Sequence, residues 1–579
     1  VKQASLPLLL RALLAVALIN TLLSLRNWWP TPGVLPDARL APEAVFGWVL
    51  LLAWVAWRGL PSARALWVLT GVVLLFVLGR YFDVTVPALF GRAVNLYWDG
   101  QQIPTFLWVS ARDYPWWVSV LAVAVVLGVL ALLALSIRWA LGVAAREAAP
   151  AALRARWTWA ITALAVLTVV AHLAALAPGV TWHLVTEPIS PTYVRQAGLL
   201  ANALLPGRVE RVLPPSTTLE TALANPQAAV GALRGRDFTL VFLESYGAMA
   251  FDHPRAAPPL AAARARLAQD LDTSGHLVAS AFVKAATFAG ASELSHLSLL
   301  SGIDLTDPLR HDLLLTTTRP TLSHVFRAAG YESLGVYPAL SWDWPESRFY
   351  GFDRFLDGRD LDWRGPALGY WKIPDQYSFA KVEALHPRSA DAKPRFLFFP
   401  TITTHLPFGP VPPYQPDWDK LLSSDPYGAA ESERVLASFV DWVDMLPNYV
   451  GMFEWTYQWL GGWLQRPEPR ESVILLVGDH QPAASVSGPG NNWDVPVHVI
   501  TRDPALIARF VALGFTPGLT PKRAPLGGMH DLTALLLQAL AAPAPGSPTA
   551  TNATAPTTPA TAASTSITAS GSAASTAPR

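Results

Sequence analysis

Residues 472–480 read SVILLVGDH. An unbroken apolar run closes on Gly478 and then on two side chains suited to metal or substrate chemistry, Asp479 and His480. Apolar runs of this length form strands buried on both faces of a sheet. Three further stretches have the same character: FTLVFLES (238–245), RFLFFPTITTH (395–405) and VPVHVITRD (495–503). Helical patterns near 257–270, 292–301, 320–329 and 432–445 separate them. This alternation predicts an α/β sandwich with a mostly parallel sheet over 230–541. One strand ends at Glu244, another at His405, a third at Asp479 and His480. Ligands collect at the carboxyl ends of strands in open α/β sheets, so these side chains can meet although they are far apart in the chain. Taken singly, a Glu after a strand is an ordinary turn residue. The joint pattern is what points to a metal site.

The segment TFAGASELSHLSLLSGI (287–303) supplies a candidate nucleophile, Ser292. Gly290 allows a tight turn, and a helix is expected to start near Ser292. Leu294, Leu297 and Leu300 recur every three residues and form its buried face. A hydroxyl at a helix N-terminus faces free N–H groups and the positive end of the dipole, a natural phosphate or sulfate site. A divalent cation would lower the hydroxyl's pKa. On local sequence alone, a helix cap is the first reading of Ser292, and the two roles are compatible.

Upstream the composition changes. Residues 1–178 are dominated by Leu, Ala, Val and Trp, with apolar stretches near 7–25, 40–57, 65–82, 116–137 and 157–177. Each is long enough, or nearly so, to cross roughly 30 Å of hydrocarbon. Arg11 must snorkel to an interface. Trp28, Trp29, Trp116, Trp117, Trp157 and Trp159 lie at segment ends, where an aromatic belt belongs. With the N-terminus inside, the inner side carries Lys2, Arg11, Arg58, Arg64, Arg138, Arg146, Arg154 and Arg156, against Arg26, Arg39, Arg80, Arg92 and Arg112 outside. That bias favours N-in, and five crossings then put everything after 178 outside the cytoplasmic membrane. The loop 83–115 reads either as a surface against the soluble domain or lipid head groups, or as an ordinary connection. Residues 179–229 read as a partly helical linker. Residues 542–579, almost only Ala, Thr, Ser, Pro and Gly, are expected to be disordered. The net charge of +1 gives no argument for nucleic acid, and the absence of Cys excludes a thiolate nucleophile and Cys-bound zinc.

FLESYG, GASELSHLSLLSG, THLPF and VGDH occur in the order found in sulfatase-like hydrolases and transferases of the alkaline phosphatase superfamily. The chain resembles that group over roughly 236–541, lipoteichoic acid synthases and phosphoethanolamine transferases in particular. The helical anchor is similar to that of the lipid-linked transferases. The resemblance implies that Glu244, Asp479, His480 and the Ser292 oxygen bind one divalent ion, manganese, zinc or magnesium. It implies that Ser292 is the nucleophile and that His405 contacts substrate. Leu294 and His296 stand where sulfatases have the Pro and Arg that guide formylglycine formation, so Ser292 is expected to act directly. The segment VYPALSWDWPESRFYGFDRF (336–355) resembles the synthase region that holds phosphoglycerol. Trp344 matches there, while Tyr337, Ala339 and Glu346 replace the family's His, Asp and Arg. Trp342, Trp344 and Trp363 are candidates for stacking on a sugar or lipid head group.

These readings predict a membrane-bound transferase that moves a phospho-head-group from a lipid donor to a cell-envelope glycan or lipid through a covalent Ser292 intermediate. A sulfate- or phosphate-ester hydrolase is the alternative on the same residues. A catalytically silent lipid-sensing or scaffold protein is a second, which the intact Ser-Glu-Asp-His set argues against.

Overall fold

In the computed structural model, residues 6–542 are described apart from 29–30, most of 91–114, 150, 176–183, 206–212, 342–343, 345, 469 and 489–491. The expected tail (542–579) lies, but for Ala542, outside the described residues. So do most of the loop after Phe90, Trp29 and Trp342.

Five helices fall where the apolar stretches do: α1 (Leu6–Leu23), α2 (Pro42–Arg58), α3 (Ala63–Phe90), α4 (Trp116–Ala148) and α5 (Ala151–Ala175). They share a core that includes Ala15, Ile19, Trp48, Leu52, Val77, Ile137 and Leu141. Two of them, over Ala63–Leu89 and Trp116–Ala148, are long and apolar enough to cross a membrane. The first half of α4 leaves Val120, Leu121, Val123, Val125, Val126 and Leu127 exposed, an apolar face that water alone does not tolerate. Both helices run further than their apolar cores require. The 33 residues of α4 span about 50 Å at 1.5 Å per residue, and its C-terminal part carries Arg138 and Arg146. The guanidinium of Arg138 lies 4.5 Å over the Trp67 ring and that of Arg58 lies 4.8 Å over Trp57.

At the opposite end of α3 the chain returns to the bundle. Helix α6 (Ser190–Leu204) is held by Glu43, whose carboxylate accepts the N–H groups of Ile189 and Ser190 at 2.7 and 3.1 Å. Thr192 donates to Asp83 at 2.9 Å. Arg80 is buried and donates to the carbonyls of Leu25 and Glu187, joining three segments at one point.

The following domain is an α/β sandwich on one sheet. Its strands are β1 (Asp237–Leu243), β2 (Leu277–Lys284), β3 (Glu332–Tyr337), β4 (Arg354–Asp357), β5 (Arg395–Pro400), β6 (Ser472–Gly478), β7 (Asp494–Thr501) and β8 (Thr516–Pro517). The order is β8-β2-β7-β6-β1-β5-β3-β4. The five strands from β6 to β4 are parallel, and the β7, β2 and β8 side is antiparallel. Side chains alternate along each strand. Phe238, Leu240 and Phe242 face a core with α8 (Ser292–Ser301) and α12 (Asp531–Leu540). Val241 and Leu243 face a second core with α7 (Ala257–Thr273), α9 (Asp375–Leu385) and α10 (Leu446–Leu464). A four-residue helix, α11 (Ala484–Ser487), follows β6 and packs against α3.

One expected helix is corrected. The pattern at 432–445 ends as a helix at Leu436, and 437–445 is a turn. Asp441 takes the N–H groups of Val443 and Asp444, which breaks the helical ladder, and Pro447 starts α10 at its first turn. Strands β2, β3 and β4 carry too few continuous apolar residues to be read in advance. They are recognised only by the neighbours they pair with.

Candidate active site

Strand β1 is seven residues, all buried, and its pleat ends at Glu244. The chain then turns sharply: Ser245 has φ 58°, a left-handed conformation that few non-glycine residues adopt. This turn aims the Glu244 carboxylate along the sheet edge and lets Ser245 N–H donate to Asp479 Oδ1 at 2.8 Å. Ser245 Oγ donates to Glu244 Oε1 at 3.0 Å. The neighbouring strand brings Asp479 and His480. Gly478 permits that register, because a Cβ there would collide with the Tyr246 carbonyl.

Ser292 is the first residue of α8, preceded by a strained loop in which Ala289 (φ 59°), Gly290 (φ 135°) and Ala291 (φ 56°, ψ 47°) all lie at positive φ. The helix cap is Ala291, so the capping reading of Ser292 is corrected. Its hydroxyl instead lies 3.1 Å from Glu244 Oε2 and 3.1 Å from His480 Nε2. His480 Nε2 is 3.4 Å from Glu244 Oε1 and 3.6 Å from Asp479 Oδ2. The other ring nitrogen, Nδ1, bonds to the Gln481 carbonyl at 2.8 Å, which leaves Nε2 as the free electron pair.

All four residues thus converge, and the Glu244, Asp479 and His480 ligand atoms lie within 4.8 Å of one another. Ligands held about 2.0–2.2 Å from a common ion stand about 3–4 Å apart, which the observed separations match. Electrostatics agree. Burial pushes the Asp479 carboxyl well above its ordinary range, and adjacent Glu244 pushes the same way. Burial also raises Glu244, but His480 and His405 beside it bring it below its ordinary value. Two buried carboxylates in one site call for a compensating cation. Oxygen, nitrogen and hydroxyl donors of this kind suit a divalent ion.

His405 sits on the loop after β5. Its Nδ1 bonds to the Leu406 carbonyl at 2.7 Å, and Tyr370 stacks on the ring at 4.5 Å between centroids. Trp371 meets it edge-on at 5.8 Å. Trp344 lies among Tyr337, Tyr350 and Phe355, partly buried against the core, and Trp363 packs on Tyr377. Tyr337 in turn bonds to buried His296 at 3.0 Å.

Several residues of this site have no sequence signal of their own. Thr401 accepts the Glu244 N–H at 2.9 Å, and Thr404 donates to the Glu244 carbonyl at 2.6 Å. Asp375 is fully buried at the start of α9 and accepts the N–H groups of Ile402 and Thr403 at 2.7 and 2.9 Å. It holds the loop that carries His405. The Thr pair stands within TITTH, yet its role depends on β5 pairing with β1.

Residues 238–513 match the protein-family model described as Sulfatase. This segment is a sulfatase-family domain. The match, over just under half of the chain, supports an enzyme with a sulfatase-like domain. No curated protein matches the chain in sequence. Among solved structures, the domain is similar to an alkaline phosphatase superfamily protein from Vibrio parahaemolyticus, at 15% identity and a TM-score of 0.35, covering 53% of this chain and 66% of that one. It is also similar to the lipoteichoic acid synthase LtaP from Listeria monocytogenes (14% identity, TM-score 0.30, 47% and 66% covered). A third is the phosphoglycerol transferase GacH from Streptococcus pyogenes, solved with sn-glycerol-1-phosphate (12% identity, TM-score 0.32, 56% and 81% covered). The chain spans just under two thirds of the length of the first two.

Proposed function

We propose that this chain is a membrane-bound, metal-dependent transferase that moves a phospho-head-group from a lipid to an acceptor outside the cytoplasm. The observation that carries the reading is the Ser292 hydroxyl at 3.1 Å from both Glu244 and His480, on the sheet edge that also holds Asp479. Glu244, Asp479, His480 and the Ser292 oxygen are the ligands of one divalent ion, manganese, zinc or magnesium. When bound, the ion lowers the pKa of the hydroxyl and offsets the charge of the carboxylates.

Ser292 Oγ, its proton lost to solvent, attacks phosphorus as the alkoxide. The Oγ–P bond forms as the P–O bond to the diacylglycerol oxygen breaks. Protonated His405, oriented through Nδ1 and with Nε2 open, gives its proton to that leaving oxygen. An acceptor hydroxyl, on a cell-envelope glycan or lipid, then attacks the phosphoserine and loses its proton to His405. The Oγ–P bond breaks and Ser292 is restored. The strained turn at Ala289–Ala291 holds the nucleophile in place before substrate arrives. Two apolar helices and the exposed apolar face of α4 support the membrane location. Water in place of the acceptor turns the same site into an ester hydrolase, and the sulfatase family match keeps that second reading in view.

Ser292→Ala tests the nucleophile. Its cap is Ala291, so the change removes no capping bond and costs about 1 kcal/mol for the lost hydrogen bond to Glu244. Head-group release from labelled phospholipid should vanish, along with a phosphoryl adduct on the peptide bearing Ser292 in mass spectra of lipid-incubated wild type. Undiminished release by the variant would refute the assignment. Wild-type turnover of a sulfate ester alone would move the protein to the hydrolase reading.

A further inference from the structure

Residues 438–445, SFVDWVDM, connect the helix Ala429–Leu436 to α10. Phe439, Trp442 and Val443 are 84, 61 and 91% exposed, and Val443 and Phe439 are the two most open large apolar side chains among the described residues. The loop's acids are held in local bonds at the surface. Asp441 accepts the N–H groups of Val443 and Asp444 at 2.7 and 3.1 Å, and Asp444 pairs with Arg255 at 2.6 Å. Loops in contact with water normally present polar groups outward, so this one is inverted. It is also anchored: Val440 packs on Gly409, where a Cβ would stand 3.0 Å from it, four residues beyond His405.

The loop's neighbours lead to the bundle. Helix α11, just beyond His480, packs against α3. Gly488 at its end faces His253, with a Cβ there 3.8 Å from the ring, and Arg255 two residues on holds Asp444. The edge that carries Glu244, Asp479 and His480 therefore abuts α3 and bears the apolar loop. Trp442 at such a position suits the head-group region of a bilayer, its ring apolar with one N–H for the wet side, and Phe439 and Val443 suit the apolar layer beneath.

We propose that residues 438–445 dip into the outer surface of the phospholipid bilayer, with Phe439, Trp442 and Val443 among head groups and upper acyl chains. The rim of the active site then rests on the surface that supplies its substrate. This rests on reading the bundle as membrane-spanning, and the test separates the two. The chain has no Cys, so single cysteines can be placed and labelled with an environment-sensitive dye. The full chain is reconstituted in vesicles of equal parts phosphatidylethanolamine and phosphatidylglycerol, some of it brominated. Dyes at Val443→Cys and at Leu127→Cys on α4 should be quenched, and a dye at Asp391→Cys, before β5 at the opposite sheet edge, should not. Quenching at 127 without quenching at 443 overturns the docking loop and leaves the membrane reading standing. Absence of quenching at 127 overturns both. A second measurement uses Phe439→Ser/Trp442→Ser/Val443→Ser. Release from bilayer lipid should fall severalfold while turnover of a soluble chromogenic phosphodiester is kept. Full retention of both would also overturn the proposal.

Discussion

The Glu244 and Asp479 carboxylates are 8 and 1% exposed and sit against one another. Ion binding to the folded state alone adds about 2.7 kcal/mol at a free concentration near 100 times Kd. Chelation should therefore lower the unfolding temperature of the wild type. Asp479→Ala should lose metal, as measured by elemental analysis, and with it most of that chelator response. Full occupancy in the variant would contradict the ligand set. A pH signature belongs to Asp375. Burial raises it to about 7, although the Ile402 and Thr403 N–H groups pull it back. Its folded pKa is above the unfolded one, so its contribution to stability is complete below about pH 4 and is lost as pH rises through 7. The gap between about 4 and 7 corresponds to about 4 kcal/mol. Wild type should lose stability relative to Asp375→Asn between pH 4 and 7, and a pH-independent difference in unfolding temperature would count against it.

At the scale of the element, the turn into α8 is the vulnerable part. Ala291 occupies the left-handed region, which costs an L-residue about 1–2 kcal/mol. A β-branched side chain fits there worse still. Ala291→Val should lower the unfolding temperature and reduce turnover, because the first turn of α8 must shift and take the Ser292 oxygen away from Glu244. Ala291→Gly should keep both. Equal stability and activity in all three proteins would show that the turn is not strained. The sequence placed the start of this element and left its role open between cap and nucleophile. Gly290 and the Leu spacing marked the helix start at Ser292, but a hydroxyl at a helix start is as often a cap as a nucleophile. What decided between them was Glu244, which arrives from another strand.

At the scale of the whole molecule, the bundle has two chemically different ends. Arg58, Arg64 and Arg138 collect where α2 passes to α3 and α4 ends, while Arg80 and Asp83 meet the chain leading to the catalytic domain. Basic ends stay in the cytoplasm, so the catalytic domain is expected outside. An alkaline phosphatase fusion near residue 190 should be active, and a cytoplasmic fluorescent reporter at the same place should be dark. The opposite pair of signals would reverse the orientation. Phe439→Lys in the 438–445 loop should leave this result untouched, since topology is set by the helices.

The apolar runs ending in Glu244, His405 and Asp479-His480 determined by themselves that a doubly covered sheet would carry these groups at its carboxyl edge. Unbroken apolar runs and strand-end placement are local properties. Five apolar stretches likewise located the five helices. Other features belong to the tertiary structure alone. Strands β2 and β3 and the edge strand β4 are recognised only by the neighbours they pair with. Thr401, Thr404 and Asp375 look like ordinary polar residues until β5 lies beside β1. The 432–445 pattern is helical in composition, yet Asp441 caps the backbone there and turns Phe439, Trp442 and Val443 outward. Each of these depends on a hydrogen bond between residues far apart in the chain or on a turn selected by its surroundings, and no local pattern encodes either.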